Sequence, residues 1–419
     1  MTATRKFTIS EKFGFRLEHL DYRHSITPQG AFLVKKEVRR FRAYFLDIPL
    51  FDKNVCTNAA CPRSDCGGGG GIAPTQHIRT EYKLWGKTLF VTNSKKPIYH
   101  PFHFYYHYYR KDSPDFWDTG KYISNNKNIN EEIFTLCKDL SAENQNWLLR
   151  HCARMKKCFE EKIVNFVDLD NNEIKEMERI CTEFLPNIHK LSDSLFAYQG
   201  YFLPVNHFEV GIFWHKYCLN ILEPQTLAKM RQKDFIDAGG FIGDSAILFE
   251  REFCDKNIYT FEPVSTTYEN MLKTLKLNNS KRVIPINKGL GKENNEIQIG
   301  VSDRDGLGSS IVFRDYKGTQ GMQTIQITTL DDFVREHNLE VGFIKVDIEG
   351  AEQQFLAGAK ETICTQKPTL LICIYHQPSD FFKIKPLIES WGLGYKFKIV
   401  KKPDFSLWED TLLFCEILD

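Results

Sequence analysis

Two acidic residues and three glycines have the spacing of a ligand-binding turn. Asp237 ends an apolar run and precedes Gly239, Gly240 and Gly243, while Glu262 ends the next apolar run. Glycine lets the backbone approach a ligand closely, and the helix that follows presents free N–H groups. A carboxylate at the end of the neighbouring strand typically accepts hydrogen bonds from ribose hydroxyls. The pattern predicts a nucleoside site; a plain strand-to-helix corner is the alternative.

The residues around the turn distinguish between nucleoside cofactors. If a dinucleotide fingerprint, G-x-G-x-x-G, is aligned on Gly240 and Gly243, its first glycine falls on Ala238. The charge of Asp237 would also repel a pyrophosphate, whereas it suits the ammonium and sulfonium groups of S-adenosylmethionine. We therefore predict S-adenosylmethionine as the cofactor. An NAD-dependent oxidoreductase is the alternative.

Further acids and a histidine follow two later apolar runs. Asp347, Glu349 and Glu352 follow "VGFIKV", and His376 follows "TLLICIY". A protonated hydroxyl is a poor nucleophile, so a nearby base should accelerate methyl transfer to it by about 10²–10⁴-fold. We predict Asp347 and His376 as the catalytic residues, because an imidazole pKa of about 6.5 suits proton abstraction. Glu352 is predicted to cap a helix.

Two other predictions concern the rim of this site. Lys288 and Gly289, in "INKGLG", are expected to border the adenine of the cofactor. Two acids as close as Asp347 and Glu352 could also hold a divalent metal, but without a further ligand we predict no metal site.

The elements that position these residues alternate, from about Asp234 onward, between short apolar strands and amphipathic helices. Such alternation predicts a mainly parallel sheet with helices on both faces. The last two strands, "GYKFKIV" and "DTLLFCEIL", have no helix between them and should pair antiparallel. We predict an α/β, Rossmann-like domain over residues 196–419, with this antiparallel pair at its end. A partly helical domain of unassigned role precedes it, over residues 1–195.

Several segments, in this order, resemble the FkbM family of S-adenosylmethionine-dependent methyltransferases: "FIDAGGFIGDSAILF", "YTFEPVSTTYENMLKTLKLN", "FIKVDIEGAE" and "ICIYHQPSDF". The resemblance covers roughly Tyr198 to Leu418. It implies a class I methyltransferase fold and methyl transfer to a hydroxyl, often on a sugar or a polyketide-type product. Gly240 stands where the family often has alanine. Residues 1–195 lie outside the resemblance.

Composition limits the partners. The 419 residues carry a formal net charge of +1, which gives no general attraction to nucleic acid. No stretch approaches the roughly 18 apolar residues of a membrane span. Twelve cysteines without an export signal favour reduced thiols and a cytoplasmic location. The spacing of Cys56, Cys61 and Cys66 fits neither zinc pairs nor an iron–sulfur motif.

Together these features predict an S-adenosylmethionine-dependent O-methyltransferase that acts on a carbohydrate or a related small-molecule or glycan acceptor. A non-catalytic module, in which a methyltransferase-like domain only binds a ligand or partner, is the second alternative. Neither the acceptor nor the oligomeric state is determined by any motif.

Overall fold

A computed structural model describes most of the chain. Its backbone is described for residues 3–12, 15–25, 32–45, 48–62, 75–84, 87–97, 118–161, 169–302, 310–312, 321–404 and 406–418. Side chains are described from residue 118 on, except at positions 161, 301–302, 310–312 and 321. Contacts divide the chain into two units, Met1–Tyr108 and Tyr109–Asp419.

The first unit contains a six-stranded antiparallel sheet in which chain neighbours are also sheet neighbours. Its strands are β1 (Ala3–Lys12), β2 (Phe15–Ser25), β3 (Phe32–Phe45), β4 (Ile48–Pro62), β5 (Thr75–Leu84) and β6 (Lys87–Pro97). Cys56 and Cys61 lie on β4, but their side chains, like Cys66, fall outside the described part of the chain.

The second unit is built on a seven-stranded sheet of order β12-β11-β10-β17-β18-β20-β19. These strands are β10 (Asp234–Ala238), β11 (Ile258–Phe261), β12 (Val283–Ile286), β17 (Val341–Val346), β18 (Thr369–Cys373), β19 (Lys396–Val400) and β20 (Leu412–Glu416). The first five pair in parallel, and β20 is antiparallel to both of its neighbours. The predicted Rossmann-like sheet with a terminal antiparallel pair is therefore confirmed.

Helices alternate with these strands because apolar residues recur along one side of each. They are α5 (Pro224–Arg231), α6 (Asp244–Glu252), α7 (Ser265–Leu277), α8 (Leu330–His337), α9 (Glu352–Gly358), α10 (Lys360–Gln366) and α11 (Pro378–Glu389). Chain order reverses between β10 and β17, so the carboxyl ends of these two strands mark the switch point where ligands bind in such folds.

Two smaller sheets complete the unit. A four-stranded sheet of order β13-β16-β14-β15 is inserted after β12. Its strands are β13 (Gly289–Leu290), β14 (Asn295–Ser302), β15 (Ser310–Val312) and β16 (Gly321–Thr328). A three-stranded sheet precedes β10 and comprises β7 (His189–Ser192), β8 (Leu195–Tyr198) and β9 (Tyr201–Leu203).

Among the described residues, four helices precede residue 180, and the first three of them contribute to the core of the large sheet. They are α1 (Asp118–Asn125), α2 (Ile129–Cys137), α3 (Ala142–Glu161) and α4 (Asn171–Arg179). Leu148 and Met155 of α3 belong to the same buried cluster as Ile399 of β19. Asn144 also bonds the edge strand: its Nδ2 donates to the Ile399 carbonyl at 2.6 Å, and its Oδ1 accepts from the Ile399 N–H at 2.9 Å. The contacts therefore divide the chain near residue 108, whereas the sequence suggests a boundary at residue 195.

Candidate active site at the carboxyl ends of β10, β11, β17 and β18

The turn after β10 has no room for a side chain at Gly239 or Gly240. Gly239 has φ +84°, and a Cβ there would lie 1.8 Å from the carbonyl oxygen of Asp347. A Cβ on Gly240 would lie 2.0 Å from the Thr260 methyl group. Gly243 has φ +82° and immediately precedes α6. Both positive φ values favour glycine. The close contacts with Asp347 and Thr260 hold the turn tightly between β11 and β17.

A buried lysine balances the charge of Asp237. Asp237 is 0% exposed and Lys345, on β17, is 1% exposed. Lys345 Nζ lies 3.2 Å from Asp237 Oδ1 and donates to the Gly239 carbonyl at 2.5 Å. Ser245 Oγ donates to Asp237 Oδ2 at 2.8 Å. Burial opposes the charge of Lys345, but the nearby carboxylates, Asp237 first, raise its pKa above the usual value.

Lys345 is not among the residues predicted from the sequence. The signal that could have revealed it is a single lysine inside the apolar run "VGFIKV". An ammonium group in a buried strand needs a carboxylate partner, because an unpaired buried charge is costly. The pair also ties β17 to the glycine turn. Asp237 therefore faces Lys345 and Ser245, and its negative charge is already compensated within the protein.

Glu262 lies at the end of β11, the strand next to β10. Its Oε1 accepts from the Val264 N–H at 2.8 Å and from Thr267 Oγ1 at 3.1 Å, and its Oε2 accepts from the Phe241 N–H at 3.1 Å. Burial raises the pKa of Glu262 to about 7. A carboxylate has about four acceptor positions, so these three bonds leave capacity for a ligand hydroxyl. Glu262 is thus oriented by the turn and can accept one further hydrogen bond.

Asp244, the first residue of α6, is a second buried acid at the turn. It is 2% exposed, and in the described part of the chain its Oδ2 has no hydrogen-bond partner. Burial first, and then the charge of Glu209, raise its pKa to about 7. One ligating atom each of Asp244, Glu209 and His207 lie within 4.8 Å of one another. From sequence, Asp244 is indistinguishable from an ordinary acid in a helix's first turn.

Asp347 and His376 come together because they follow adjacent parallel strands. His376 Nε2 lies 3.4 Å from Asp347 Oδ1 and 3.9 Å from Glu349 Oε2. On the other side of the ring, Nδ1 lies 3.0 Å from Glu352 Oε1. The Tyr375 hydroxyl donates to Asp347 Oδ1 at 3.3 Å. The side chain of Asp347 is 23% exposed and that of His376 is 9% exposed, so Asp347 is the more accessible of the two.

The environment of His376 differs from the one assumed from sequence. Burial by itself would lower the pKa of His376, but Glu352, followed by Glu349 and Asp347, raises it to about 10. The assumption of an ordinary imidazole pKa is therefore wrong. Glu352 does more than the predicted capping: its Oε1 accepts from the Ile348 N–H at 3.0 Å and also faces the imidazole.

A strained segment packs a tyrosine against the buried lysine. Lys216, Tyr217 and Cys218 have φ values of +52°, +51° and +56°. The left-handed conformation costs non-glycine residues roughly 1–2 kcal/mol each. The Tyr217 ring is buried, and Lys345 Nζ lies 5.8 Å from its centroid, within range of a cation–π contact. Nothing in the sequence "HKYCLN" indicates this strain.

The two residues predicted to border the adenine follow β12. Lys288 is exposed, whereas Gly289 is buried and begins β13, where it pairs with Ile327 of β16. Their neighbour Asn287, not predicted from sequence, donates from Nδ2 to the Glu262 carbonyl at 2.8 Å. This bond links the end of β12 to the end of β11.

Residues 237–415 match the family model described as the methyltransferase FkbM domain. The match begins at Asp237 in β10 and ends at Cys415 in β20, so it includes every predicted cofactor-binding and catalytic residue. Residues 237–415 are an FkbM methyltransferase domain. The resemblance noted from sequence is thereby confirmed, together with the enzyme class, methyltransferase, and the cofactor, S-adenosylmethionine.

Individual relatives of the FkbM domain are distant. A protein named Methyltransferase 1, from Beauveria bassiana (strain ARSEF 2860), is 26% identical over 190 residues, which are 41% of this chain and 75% of that protein. A methyltransferase FkbM structure from Methylobacillus flagellatus KT has 16% identity and a TM-score of 0.42, covering 71% of this chain and 61% of that one. Aeropyrum pernix fibrillarin, solved with S-adenosyl-L-methionine bound, has 12% identity and a TM-score of 0.29, covering 48% and 76%. Such similarities identify neither the acceptor nor the residue roles.

The residues of the FkbM domain fit this cofactor. The glycines pack the turn closely against Asp347 and Thr260, which fixes its backbone, and Glu262 retains acceptor capacity for a hydroxyl. Asp244 supplies a buried carboxylate oxygen that lacks a partner among the described residues. No helix in the described ranges combines the length and the apolar character needed to cross a membrane.

Proposed function

We propose that the FkbM domain transfers a methyl group from S-adenosylmethionine to a hydroxyl of a carbohydrate or related metabolite. The observation that supports this most is the position of Asp347. Its backbone carbonyl packs against Gly239 of the turn, while its partly exposed carboxylate contacts Tyr375 and His376. An acceptor hydroxyl that reaches Asp347 would therefore be close to a cofactor held by the turn.

Residues around the turn would hold the cofactor in distinct ways. Glu262 would accept from a ribose hydroxyl, and the backbone around Gly239, Gly240 and Gly243 would contact the cofactor. Lys288 and Gly289 would border the adenine. When bound, S-adenosylmethionine supplies a methyl group on a positively charged sulfur, which is a good leaving group.

For the cationic tail of the cofactor, the geometry favours Asp244 over Asp237. The Asp237 carboxylate is already paired with Lys345 and Ser245, and it is completely buried. Asp244 Oδ2 has no such partner in the described part of the chain. An uncompensated buried carboxylate is stabilised by a ligand cation. We therefore assign the attraction predicted for Asp237 to Asp244.

The protein's main contribution to methyl transfer would be alignment, which can supply roughly 7–11 kcal/mol. Asp347, Tyr375 and His376 present adjacent polar groups, and such groups can fix the several hydroxyls of a carbohydrate.

A cytoplasmic location and the absence of a nucleic-acid partner remain predictions. A non-catalytic role would not account for the partly exposed Asp347 carboxylate beside His376.

Titration calorimetry of the full chain with S-adenosylmethionine tests the cofactor site. We expect binding, no comparable binding of NAD, and roughly tenfold or greater weakening by Glu262→Ala, because about 1.4 kcal/mol of ribose contact is lost. The matched control is Glu269→Ala, an exposed acid on the following helix α7, which should bind normally. Tight binding of NAD instead, or equal affinities for the two variants, would contradict the assignment.

Asp244→Asn should weaken S-adenosylmethionine binding by about 10–100-fold, because a charge-assisted contact to the cationic tail is lost. The loss should shrink in S-adenosylhomocysteine, which lacks the sulfonium charge. Asp193→Asn, at a fully exposed acid, serves as the control and should leave both affinities unchanged. If Asp244→Asn bound both ligands normally, the cationic tail would have another partner.

A further inference from the structure

The imidazole of His376 has carboxylates on both sides of its ring. Nδ1 lies 3.0 Å from Glu352 Oε1, and Nε2 lies 3.4 Å from Asp347 Oδ1. A neutral imidazole carries one N–H, so one of its nitrogens would direct a lone pair at a carboxylate oxygen. The doubly protonated ring instead places a positive charge between the two carboxylates. The contact geometry by itself therefore favours the imidazolium form.

We propose that His376 acts as a permanent imidazolium that positions the Asp347 carboxylate, and that Asp347, not His376, accepts the proton of the acceptor hydroxyl. This proposal rests on the methyl transfer proposed above. It makes Asp347 the catalytic base, and it makes His376 and Glu352 positioning residues.

The Nδ1 side of the ring, which faces Glu352, explains why the imidazole keeps its positive charge. Glu352 is 0% exposed, and it accepts the Ile348 N–H through Oε1 at 3.0 Å. Behind it, buried Asp380 accepts from Gln353 Nε2 at 2.9 Å, and burial and the Glu352 charge raise the pKa of Asp380 to about 7. Among the ion pairs of the described residues, the cationic partner of Glu352 is His376. A neutral ring would leave a buried carboxylate uncompensated.

On the Nε2 side of the ring, the Asp347 carboxylate can act as the base. Asp347 Oδ1 contacts His376 and the Tyr375 hydroxyl, which leaves Oδ2 as the oxygen that would accept a proton. In the transfer, the acceptor O–H bond breaks and its proton passes to Asp347. The acceptor oxygen forms the bond to the methyl carbon, and the methyl carbon–sulfur bond breaks with its electron pair remaining on sulfur.

The charged and titratable groups that face His376 come from both strands and both helices around it. They are Asp347 and Glu349 after β17, Tyr375 beside the ring, Glu352 of α9 and Asp380 of α11. Glu352 makes the shortest contact, so its replacement should change the protonation of the ring most. With Glu352→Gln, the pKa of His376 should fall from about 10 toward the ordinary value.

The test is an NMR titration of the full chain labelled with ¹⁵N- and ¹³C-histidine, in which His376→Gln identifies the His376 signal. At pH 7 we expect both ring nitrogens to be protonated, with a midpoint near pH 10. Glu352→Gln should lower that midpoint by two pH units or more. The control Glu361→Gln, an exposed acid at the start of α10, should leave it unchanged.

A single protonated nitrogen at pH 7 in the unmodified chain would overturn the proposal without any variant. Tight Mn²⁺ binding that is lost in His376→Gln would also overturn it, because an imidazolium cannot ligate a metal. Calorimetry with S-adenosylmethionine separates this result from the proposed function. If the cofactor binds but His376 is neutral, the inference alone fails. If the cofactor does not bind, the proposed function fails, and the base role of Asp347 fails with it.

Discussion

Gly239→Ala should weaken the binding of S-adenosylmethionine by roughly 100-fold or more, which corresponds to about 2.7 kcal/mol. The added Cβ would lie 1.8 Å from the Asp347 carbonyl oxygen, far inside van der Waals contact. Asp347 cannot retreat without breaking its own backbone bond, in which its N–H donates to the Ala238 carbonyl at 3.0 Å. The turn would therefore move into the space that the cofactor is proposed to occupy. Titration calorimetry measures the loss.

A matched control separates this clash from the cost of the backbone conformation. Gly394 has φ +85°, almost the same as Gly239, but a Cβ there would meet nothing within 4 Å. Gly394→Ala should cost only about 1 kcal/mol of stability and leave the affinity unchanged. Binding by Gly239→Ala within threefold of the unmodified chain would show that the turn does not contact the cofactor.

Lys345→Met should lower the free energy of unfolding by about 3–5 kcal/mol, because it leaves the buried Asp237 carboxylate without its cation. The variant also removes the hydrogen bond from Nζ to the Gly239 carbonyl, so the glycine turn loses its link to β17. Denaturant unfolding, followed by circular dichroism, measures the change. Cofactor affinity should fall as well, since the turn is then less well positioned.

Two further variants show whether burial is the cause. Lys233 Nζ lies 2.9 Å from Glu340 Oε1, but both side chains are exposed, so Lys233→Met should cost about 0–1 kcal/mol. The double variant Lys345→Met/Asp237→Asn should recover part of the lost stability, because it removes the uncompensated charge. Equal losses for Lys345→Met and Lys233→Met would mean that the buried ion pair contributes no special stability.

Much of the fold could be predicted because its signals are local. Apolar runs broken by glycine or acids mark where strands end, and the 3.6-residue period marks the helices. The missing helix between the last two strands is visible directly in "GYKFKIVKKPDFSLWEDTLLFCEIL" and leads to their antiparallel pairing. Each of these inferences needs only neighbouring residues.

The boundary of the methyltransferase unit could not be predicted in the same way. Helices α1 to α4 have the amphipathic pattern of any surface helix. No motif indicates which sheet such a helix packs against. Only the folded chain shows that α3 contributes to the core beside β19 and that Asn144 bonds the edge strand.

The sequence alone predicted which residues follow neighbouring strands of one sheet: a glycine turn, Glu262 one strand away, and Asp347 and His376 after two later strands. Topology brings the ends of parallel strands to one edge, so residue type and strand order were sufficient. Tertiary structure decided the charge of each group. The partner of Asp237 is Lys345, Asp244 has no partner in the described ranges, and His376 lies between two carboxylates. Protonation depends on distances of 3–4 Å between residues far apart in the chain, and a sequence does not contain those distances.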